Sequence, residues 1–258
     1  MRTRSARFTL SNRPLCARLA LMKQQNTPYF IQDQLANFDV LEASRMPNVR
    51  KLSENERGVL YEYDNLYFLA CEPEHAESFF PLITEGLTHD CGRLVVLRGA
   101  AARDQLEQLG FRTQMECYNA VYLSKEPVAY TLPKGAEIRK LGQSYADFIH
   151  AHYHMVDDIG YIRDRIEAGM FGVFLKGEIA GFAGTHEERS MGLLEILPEY
   201  RRLGLAYALE AHLINHLLSQ GRVPFCQVAI MNEASIRLQQ KLGLVISDQV
   251  VYWLGYHG

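Results

Sequence analysis

A short turn at residues 198–209 carries the residue types that bind an anion. Its sequence, PEYRRLGLAYAL, places Arg201 and Arg202 just before Gly204 and Ala206, at the start of an apolar helix pattern. The first N–H groups of a helix have no intrahelical partner and lie at the positive end of the helix dipole. Small residues let a phosphate approach the backbone, and arginine adds positive charge beside it. The turn therefore predicts a site for a pyrophosphate group.

The elements around this turn predict an α/β (α+β mixed sheet) fold. From residue 136 onward, the pattern reads as strand, two helices, three antiparallel strands, helix, strand, helix and strand, with a hairpin turn at Lys176-Gly177. Parallel strands need crossover helices, so this order indicates a sheet with helices packed on it.

The chain also repeats itself. Residues 94–111 align without gaps with residues 227–244, at an offset of 133 residues. Each segment reads as a strand, a turn and an amphipathic helix, with Gly110 or Gly243 where the helix stops. A chance similarity is the alternative to a duplication. We predict two tandem domains, each with a mixed central sheet flanked by helices.

The stretch 124–135, with two prolines and no core pattern, separates the predicted domains. The domains then cover residues 26–125 and 136–258. Residues 1–25 contain several arginines and no acid, which is typical of a disordered tail or an over-long start, with a transit peptide as the alternative.

The composition is that of a globular protein of 258 residues, with 48% hydrophobic and 22% charged residues. No apolar run approaches the roughly 18 residues that a membrane span needs. A net charge of −3 gives no general attraction to nucleic acid or anionic lipid, so we expect neither as a partner. The five cysteines have no metal-like spacing, which favours reduced thiols in a cytoplasmic protein. We expect the protein to be a monomer or a homodimer.

Two motifs together resemble the GNAT superfamily of acyl-CoA-dependent N-acyltransferases. Arg201, Gly204 and Ala206 fit its motif of Gln or Arg, two residues, Gly, one residue, and Gly or Ala, after the strand and PEYR turn that usually precede it. The segment NEASIRLQQKLGL, which begins at Asn232, is similar to its second signature. The resemblance covers residues 136–258 in the right element order. The tandem plan is similar to that of glycine N-acyltransferase-like proteins, which place a degenerate half before a working one.

The resemblance implies acetyl-CoA, or another acyl-CoA, as cosubstrate and no metal. Backbone N–H groups from Arg202 to Ala206 would hold the pyrophosphate, and those of the preceding strand, with Ile196 or Leu197 foremost, would face the thioester oxygen. Asn232 would contact the pantetheine arm or the adenosine, as would Ser235, which is equally an N-cap neighbour. The implied cofactor-binding set is Leu194, Ile196, Leu197, Arg201, Arg202, Leu203, Gly204, Leu205, Ala206, Asn232 and Ser235.

The first half lacks this motif at the same offset. Its segment FLACEP, residues 68–73, puts Cys71 at the position of Gly204 and Pro73 at that of Ala206, and Glu72 and Glu74 give this turn negative charge instead of positive. Proline has no N–H for a phosphate, and carboxylates repel it. We therefore predict that the N-terminal domain does not bind CoA.

Direct attack of an amine on a thioester needs a base, and a proton donor helps the thiolate to leave. Glu195, an acid within the apolar strand LLEIL, is the candidate base, with a solvent-facing side chain as the alternative. Many members of the resembling family have a tyrosine acid where this chain has Gln239. Tyr252 is the candidate that replaces it, and Tyr200 is a second.

Candidate substrate-binding residues are His154 and Asp157, together with Asp158, in the region 146–160, and His186 in the hairpin before LLEIL. Such groups suit a cationic or polar amine. The spacing of His150 and His154 also occurs in zinc sites, but no third ligand is evident, so we predict no metal.

We therefore predict an N-acyltransferase, specifically an N-acetyltransferase, that acts on a small amine. A catalytically silent CoA-binding or sensing protein is the alternative from another class, favoured by Gln239. An aminoacyl-tRNA-dependent transferase is the third, against which the acidic balance and the intact motif weigh.

Overall fold

The computed structural model describes residues 33–88 and 91–258, so the predicted tail at 1–25 lies outside the described residues. In the described part, eleven strands form one mixed sheet in the order β1-β2-β3-β4-β11-β5-β10-β9-β8-β7-β6. Helices lie on both faces of this sheet, and the predicted mixed α/β class is confirmed.

The strands are β1 (Arg50–Asn55), β2 (Gly58–Tyr63), β3 (Leu66–Cys71), β4 (Leu94–Arg98), β5 (Phe111–Val121), β6 (Ala136–Lys140), β7 (Phe171–Leu175), β8 (Glu178–Thr185), β9 (Met191–Ile196), β10 (Phe225–Ala229) and β11 (Val245–Tyr256). The helices are α1 (Phe38–Ala43), α2 (Phe80–Thr84), α3 (Ala100–Gln108), α4 (Ala146–His152), α5 (Ile159–Gly169), α6 (Leu205–Ser219) and α7 (Glu233–Leu242). Short 3-10 turns occupy Pro73–Phe79, Gln143–Tyr145 and Pro198–Tyr200.

The element order predicted for the second half is confirmed from β6 to β11. Lys176 and Gly177 both have positive φ, at 54° and 91°, and they turn the chain from β7 into β8. Helix α6 buries the apolar stripe of Leu205, Leu209 and Leu213 on one face of the sheet. Helices α4 and α5 cover the other face, so a site in this part of the sheet is bordered by helices on both sides.

The last strands of the two halves are exchanged. Strand β11 lies between β4 and β5, and β5 in turn pairs with β10 of the second half. The two halves therefore share one sheet, instead of the separate sheet that we predicted for each. Alternating apolar residues specify a strand and its buried face but not its neighbour, so the sequence pattern could not show this exchange. The domain limits of 26–125 and 136–258 stay a prediction.

A buried polar cluster joins the halves at this seam. Asp39 of α1 forms an ion pair with Arg98 of β4 and accepts a hydrogen bond from Asn119 of β5 at 3.0 Å. The Gln227 amide of β10 also approaches it, at 3.4 Å, and Trp253 of β11 donates to the Gln227 oxygen at 2.7 Å. One carboxylate thus holds elements from both halves together.

The structure corrects the register of the repeat near its first motif. Strands β3 and β9 are equivalent, because each pairs in parallel with the next strand and is followed two residues later by Pro73 or Pro198 at the start of a 3-10 turn. Cys71 is thus the end of a strand and not the equivalent of Gly204. The offset of 133 residues holds for β4 and α3 against β10 and α7, but not for the preceding strand.

Candidate active site

The parallel strands β9 and β10 separate at the centre of the second half. Within the described residues they pair at one position, Cys226 opposite Met191, whereas β9 continues to pair with β8 up to Ile196. A cavity of about 680 Å³ opens where they part. It is lined from both faces of the sheet, by Tyr153 and Tyr161 on one side and by residues of α6 and α7 on the other. The opening can therefore admit a long ligand between the strands.

A bulge in β9 sets which N–H groups face this opening. Leu193 has a φ of 49°, and the pairing with β8 shifts at this point. The Leu197 N–H donates to the Ala180 carbonyl oxygen at 2.9 Å, so the expectation that it faces the thioester oxygen is wrong. Since N–H groups alternate along a regular strand, that of the neighbouring Ile196 points to the opposite edge, toward β10, whereas Leu194 lies in the bulge, where this alternation is broken.

The turn before α6 forms a concave backbone with its N–H groups at the helix start. Arg202 and Gly204 both have positive φ, at 63° and 80°, and such alternation makes an anion-binding nest. Apart from its chain neighbours, no atom of the described residues lies within 4 Å of the position that a Cβ on Gly204 would take, so the space beside it is open. Leu203 is exposed, whereas Leu205 is buried and could contact a ligand only through its backbone, and Ala206 follows in the first turn of α6.

Arg201 and Glu195 connect this turn to the cavity. The Arg201 guanidinium donates from Nε to the Ile196 carbonyl oxygen and from Nη2 to Glu195, both at 3.0 Å. Glu195 lines the cavity on the face that carries α4 and α5. The Glu195 side chain is therefore partly exposed at the cavity wall, where it pairs with Arg201, the first residue of the motif.

The second signature also reaches the cavity. Asn232 caps α7 by accepting a hydrogen bond from the Ser235 N–H at 3.0 Å, and both side chains line the cavity. The Asn232 oxygen is occupied by the helix cap, so its NH₂ group is the part that can donate to a ligand.

Tyr252, the predicted replacement acid, does not reach this site. It is buried in the core of the first half, and the Arg103 guanidinium lies 4.9 Å from the centre of its ring. It does not contribute to the described lining of the cavity, and neither does Tyr200. The exchange of the last strands explains the error, because it carries this part of β11 into the other half.

The predicted substrate-binding residues separate into two groups. His154 and His186 line the cavity. Asp157 does not: its side chain is fully exposed and pairs with His150 at 3.2 Å, while Asp158 caps α5. Local sequence could not distinguish these neighbours, because they lie in a loop without periodicity.

His186 is held closely. The Tyr161 hydroxyl lies 2.7 Å from its Nδ1, and a Cβ on Gly192 would lie 2.3 Å from its Nε2. Glycine at position 192 therefore leaves room for the imidazole ring beside β9.

The main group that sequence reasoning missed is a buried pair at the α6 and α7 side of the cavity. Gln239 donates from Nε2 to Oε1 of Glu210 at 2.7 Å, and both residues are buried and line the cavity. Burial raises the pKa of Glu210 to about 7, although the hydrogen bond from Gln239 lowers it. An acid inside the otherwise apolar helix LAYALEAHLINHLL was the available sequence signal.

We expect the pH dependence of stability to show this carboxyl. Because its folded pKa of about 7 exceeds the ordinary 4.5, the folded state keeps a proton that the unfolded chain releases between these values. The free energy of unfolding should therefore fall as the pH rises through this window, by about 3 kcal/mol in order of magnitude. Glu210→Gln should lack this fall, as measured by urea unfolding between about pH 4 and pH 8. The same pH dependence in both proteins would contradict the expectation.

The first half also contributes to the cavity, which the sequence analysis did not anticipate. Leu66, Leu94 and Met115 lie on its wall, together with Trp253 of the exchanged strand β11. These apolar side chains adjoin the side of the cavity that holds Tyr153 and His186. An acceptor bound there would contact both halves of the chain.

In the described part of the chain, one group could bring three metal-ligand atoms within 4.8 Å: Glu72, Glu74 and His75. It follows β3 in the first half, and the Arg57 guanidinium contacts His75, which places positive charge against a cation. The described helices include none with the length and hydropathy that a bilayer span requires.

Residues 169–254, a third of the chain, match the family model of FR47-like proteins. No curated protein matches the sequence.

The crystal structure of a Drosophila protein has a TM-score of 0.68 at 16% identity, and the match covers 93% of both chains. A GCN5-related N-acetyltransferase from Kribbella flavida has a TM-score of 0.61 at 12% identity, over 87% of this chain and 96% of that one. A GCN5-related N-acetyltransferase-like protein from Streptococcus suis has a TM-score of 0.52 at 18% identity, over 86% and 95%. These likenesses confirm the predicted GNAT resemblance at the level of the fold.

Proposed function

We propose that this protein, whose fold is that of the GCN5-related N-acetyltransferases, transfers an acyl group from acetyl-CoA or another acyl-CoA to an amine. The observation that carries the proposal is the separation of β9 and β10, together with the Arg201 side chain of the following turn, which pairs with Glu195 on the cavity wall. A pyrophosphate on the turn and a pantetheine arm between the strands would bring the thioester to the N–H of Ile196. The GNAT fold supports acyl transfer in general, and the arrangement of these residues supports CoA as the donor.

In this proposal the amine nitrogen attacks the thioester carbonyl carbon. The Ile196 N–H, which points toward the opening, stabilises the oxyanion as it forms. Glu195 accepts the proton from the attacking amine, since its carboxylate lies at the cavity wall and is oriented by Arg201. His186, oriented by Tyr161, contacts the acceptor beside it.

The charge of the cavity indicates the class of acceptor. Four glutamates line it, and among its described lining residues there is no lysine or arginine. Of the four, Glu210 keeps a proton near pH 7 and Glu195 pairs with Arg201, so Glu187 and Glu188 carry most of the negative charge of the cavity. Glu188 is buried and accepts a hydrogen bond from the Ser190 hydroxyl. Carboxylates in a partly dry site attract a cation and repel an anion. We therefore propose a cationic amine without a carboxylate, such as a diamine, as the acceptor.

A matched pair of acceptors tests the function and the class together. With acetyl-CoA and release of free thiol as the readout, 1,4-diaminobutane should give a kcat/KM at least about tenfold above 4-aminobutanoate, because only the group at the far end differs. Glu188→Gln should reduce this preference, whereas Glu178→Gln, an exposed change at the start of β8, should not. Equal use of both amines would contradict the acceptor class, and no thiol release with any amine would contradict the transferase.

A silent CoA-binding protein remains the second candidate, and Gln239 is the observation that favours it. It occupies the place of the tyrosine acid and is buried against Glu210. Binding of acetyl-CoA without turnover of any amine is the result that this candidate requires.

A further inference from the structure

Glu210 is a buried carboxyl on the wall of the proposed acyl-transfer cavity. It lies in the second turn of α6, with 5% of its surface exposed, and shares the wall with Cys226 of β10 and with Gln239 and Ser235 of α7. This is the face of the sheet on which the motif turn begins its helix. A thioester between β9 and β10 would therefore have Glu210 on one side and Glu195 on the other.

The hydrogen bonds of the pair are incomplete within the described structure. Oε1 of Glu210 accepts from Gln239, but Oε2 of Glu210 and Oε1 of Gln239 are buried without a protein partner. A buried polar atom without a hydrogen bond loses its contacts with water and gains none in return, which a core packed for stability alone would avoid. Because these atoms belong to residues that line the cavity, the missing partner can come from a ligand.

We propose that Glu210 is the proton donor to the departing CoA thiolate, an inference that rests on the proposed acyl transfer. The amine nitrogen forms its bond to the carbonyl carbon, and the carbon–sulfur bond breaks with its electron pair on sulfur. The sulfur takes the proton of the Glu210 carboxyl, and Glu195 takes the proton of the amine. Exchange with water then restores the proton to Glu210 and removes it from Glu195, so the products are an amide and CoA thiol.

The surroundings of Glu210 suit this role. Burial raises its pKa to about 7, so it keeps a proton near neutral pH, which an exposed carboxyl does not. The titratable group that faces it is Cys226, and burial raises the pKa of that thiol well above its ordinary value, so it stays neutral. Gln239 donates to the carboxylate oxygen and so lowers the pKa of Glu210. The activity should therefore fall as the pH rises past about 7.

Kinetics of two variants test the proposal on the full chain with acetyl-CoA and the best amine. Glu210→Gln should lower kcat about 100-fold, leave the KM for acetyl-CoA within about twofold, and remove the fall in kcat above about pH 7. Gln239→Leu should keep that fall but move it to higher pH, because it removes the hydrogen bond that lowers the pKa. Glu178→Gln, at the exposed start of β8, should match the wild type. A structural role alone would not produce these two opposite changes in the pH profile.

The outcomes separate the two proposals. An active wild type whose kcat and pH profile survive Glu210→Gln would overturn the proton donor and leave the acyl transfer standing. A wild type that is inactive with every amine would overturn both. If Glu210→Gln does not fold, the pH profile of Gln239→Leu tests the proposal. A fall in kcat at the same pH as in the wild type overturns the proposal, and a fall at higher pH supports it.

Discussion

Gly204→Glu should abolish detectable binding of acetyl-CoA, with a dissociation constant raised at least about 100-fold. The glycine has a φ of 80° and is the N-cap of α6, where the first N–H groups of the helix have no intrahelical partner. A glutamate would put a carboxylate where the pyrophosphate is expected, and two unit charges of the same sign about 4 Å apart near a protein surface repel each other by about 4 kcal/mol. Calorimetric titration of acetyl-CoA into both proteins measures the effect.

The other end of the same helix provides the matched control. Gly221 follows α6, has a φ of 72°, and like Gly204 has no atom within 4 Å of the position that an added Cβ would take. Gly221→Glu therefore adds the same charge at the same backbone strain, and it should bind acetyl-CoA as the wild type does. Gly204→Ala separates strain from charge and should weaken binding much less than the glutamate. Equal binding by Gly204→Glu and the wild type would place the cofactor elsewhere.

Asp39→Ala should lower the free energy of unfolding by about 3–5 kcal/mol, the largest loss that we expect from one side chain. The carboxylate is buried and pairs with Arg98, which would then keep its charge in the core without this partner. The change also removes the acceptor for Asn119, and it loosens the seam between α1, β4, β5 and β10. Urea unfolding followed by circular dichroism measures the loss.

The control for this change is an ion pair on the surface. Asp104 pairs with Arg103 while more than half of its side chain is exposed, and Asp104→Ala should cost no more than about 1 kcal/mol. A loss below about 1 kcal/mol for Asp39→Ala as well would show that the seam does not depend on this carboxylate.

The strands and helices of the second half could be read from the sequence because their patterns are local. Apolar spacing along α6, and the glycines at 177 and 243, mark elements that depend on nearby residues. The choice of partner strand is not local. Strand β11 has the same alternating pattern whether it pairs with β10 or with β4, and only packing between the halves selects β4 and β5.

The same distinction explains the outcomes at the site. The backbone of the turn at Gly204 depends on consecutive residues, so a short motif was enough to predict a glycine with positive φ at this helix start, and the anion site there stays a prediction. Whether the Leu197 N–H could face the thioester oxygen, by contrast, depended on the Ala180 carbonyl oxygen of another strand, to which it donates. The position of Tyr252 depended on which half contains strand β11. The role proposed for Glu210 depended on its contact with Gln239, which lies far along the chain.

The sequence by itself determined the α/β class, the element order of the second half and the position of the proposed CoA turn, because each is encoded in contiguous residues through periodicity and backbone preference. Only the tertiary structure decided that the halves share one sheet and that β9 and β10 part to form a cavity. It also placed Glu195 and Glu210 on opposite faces of that opening. These features join residues distant in the chain, and their relative positions follow from packing and buried polar contacts that no single segment specifies.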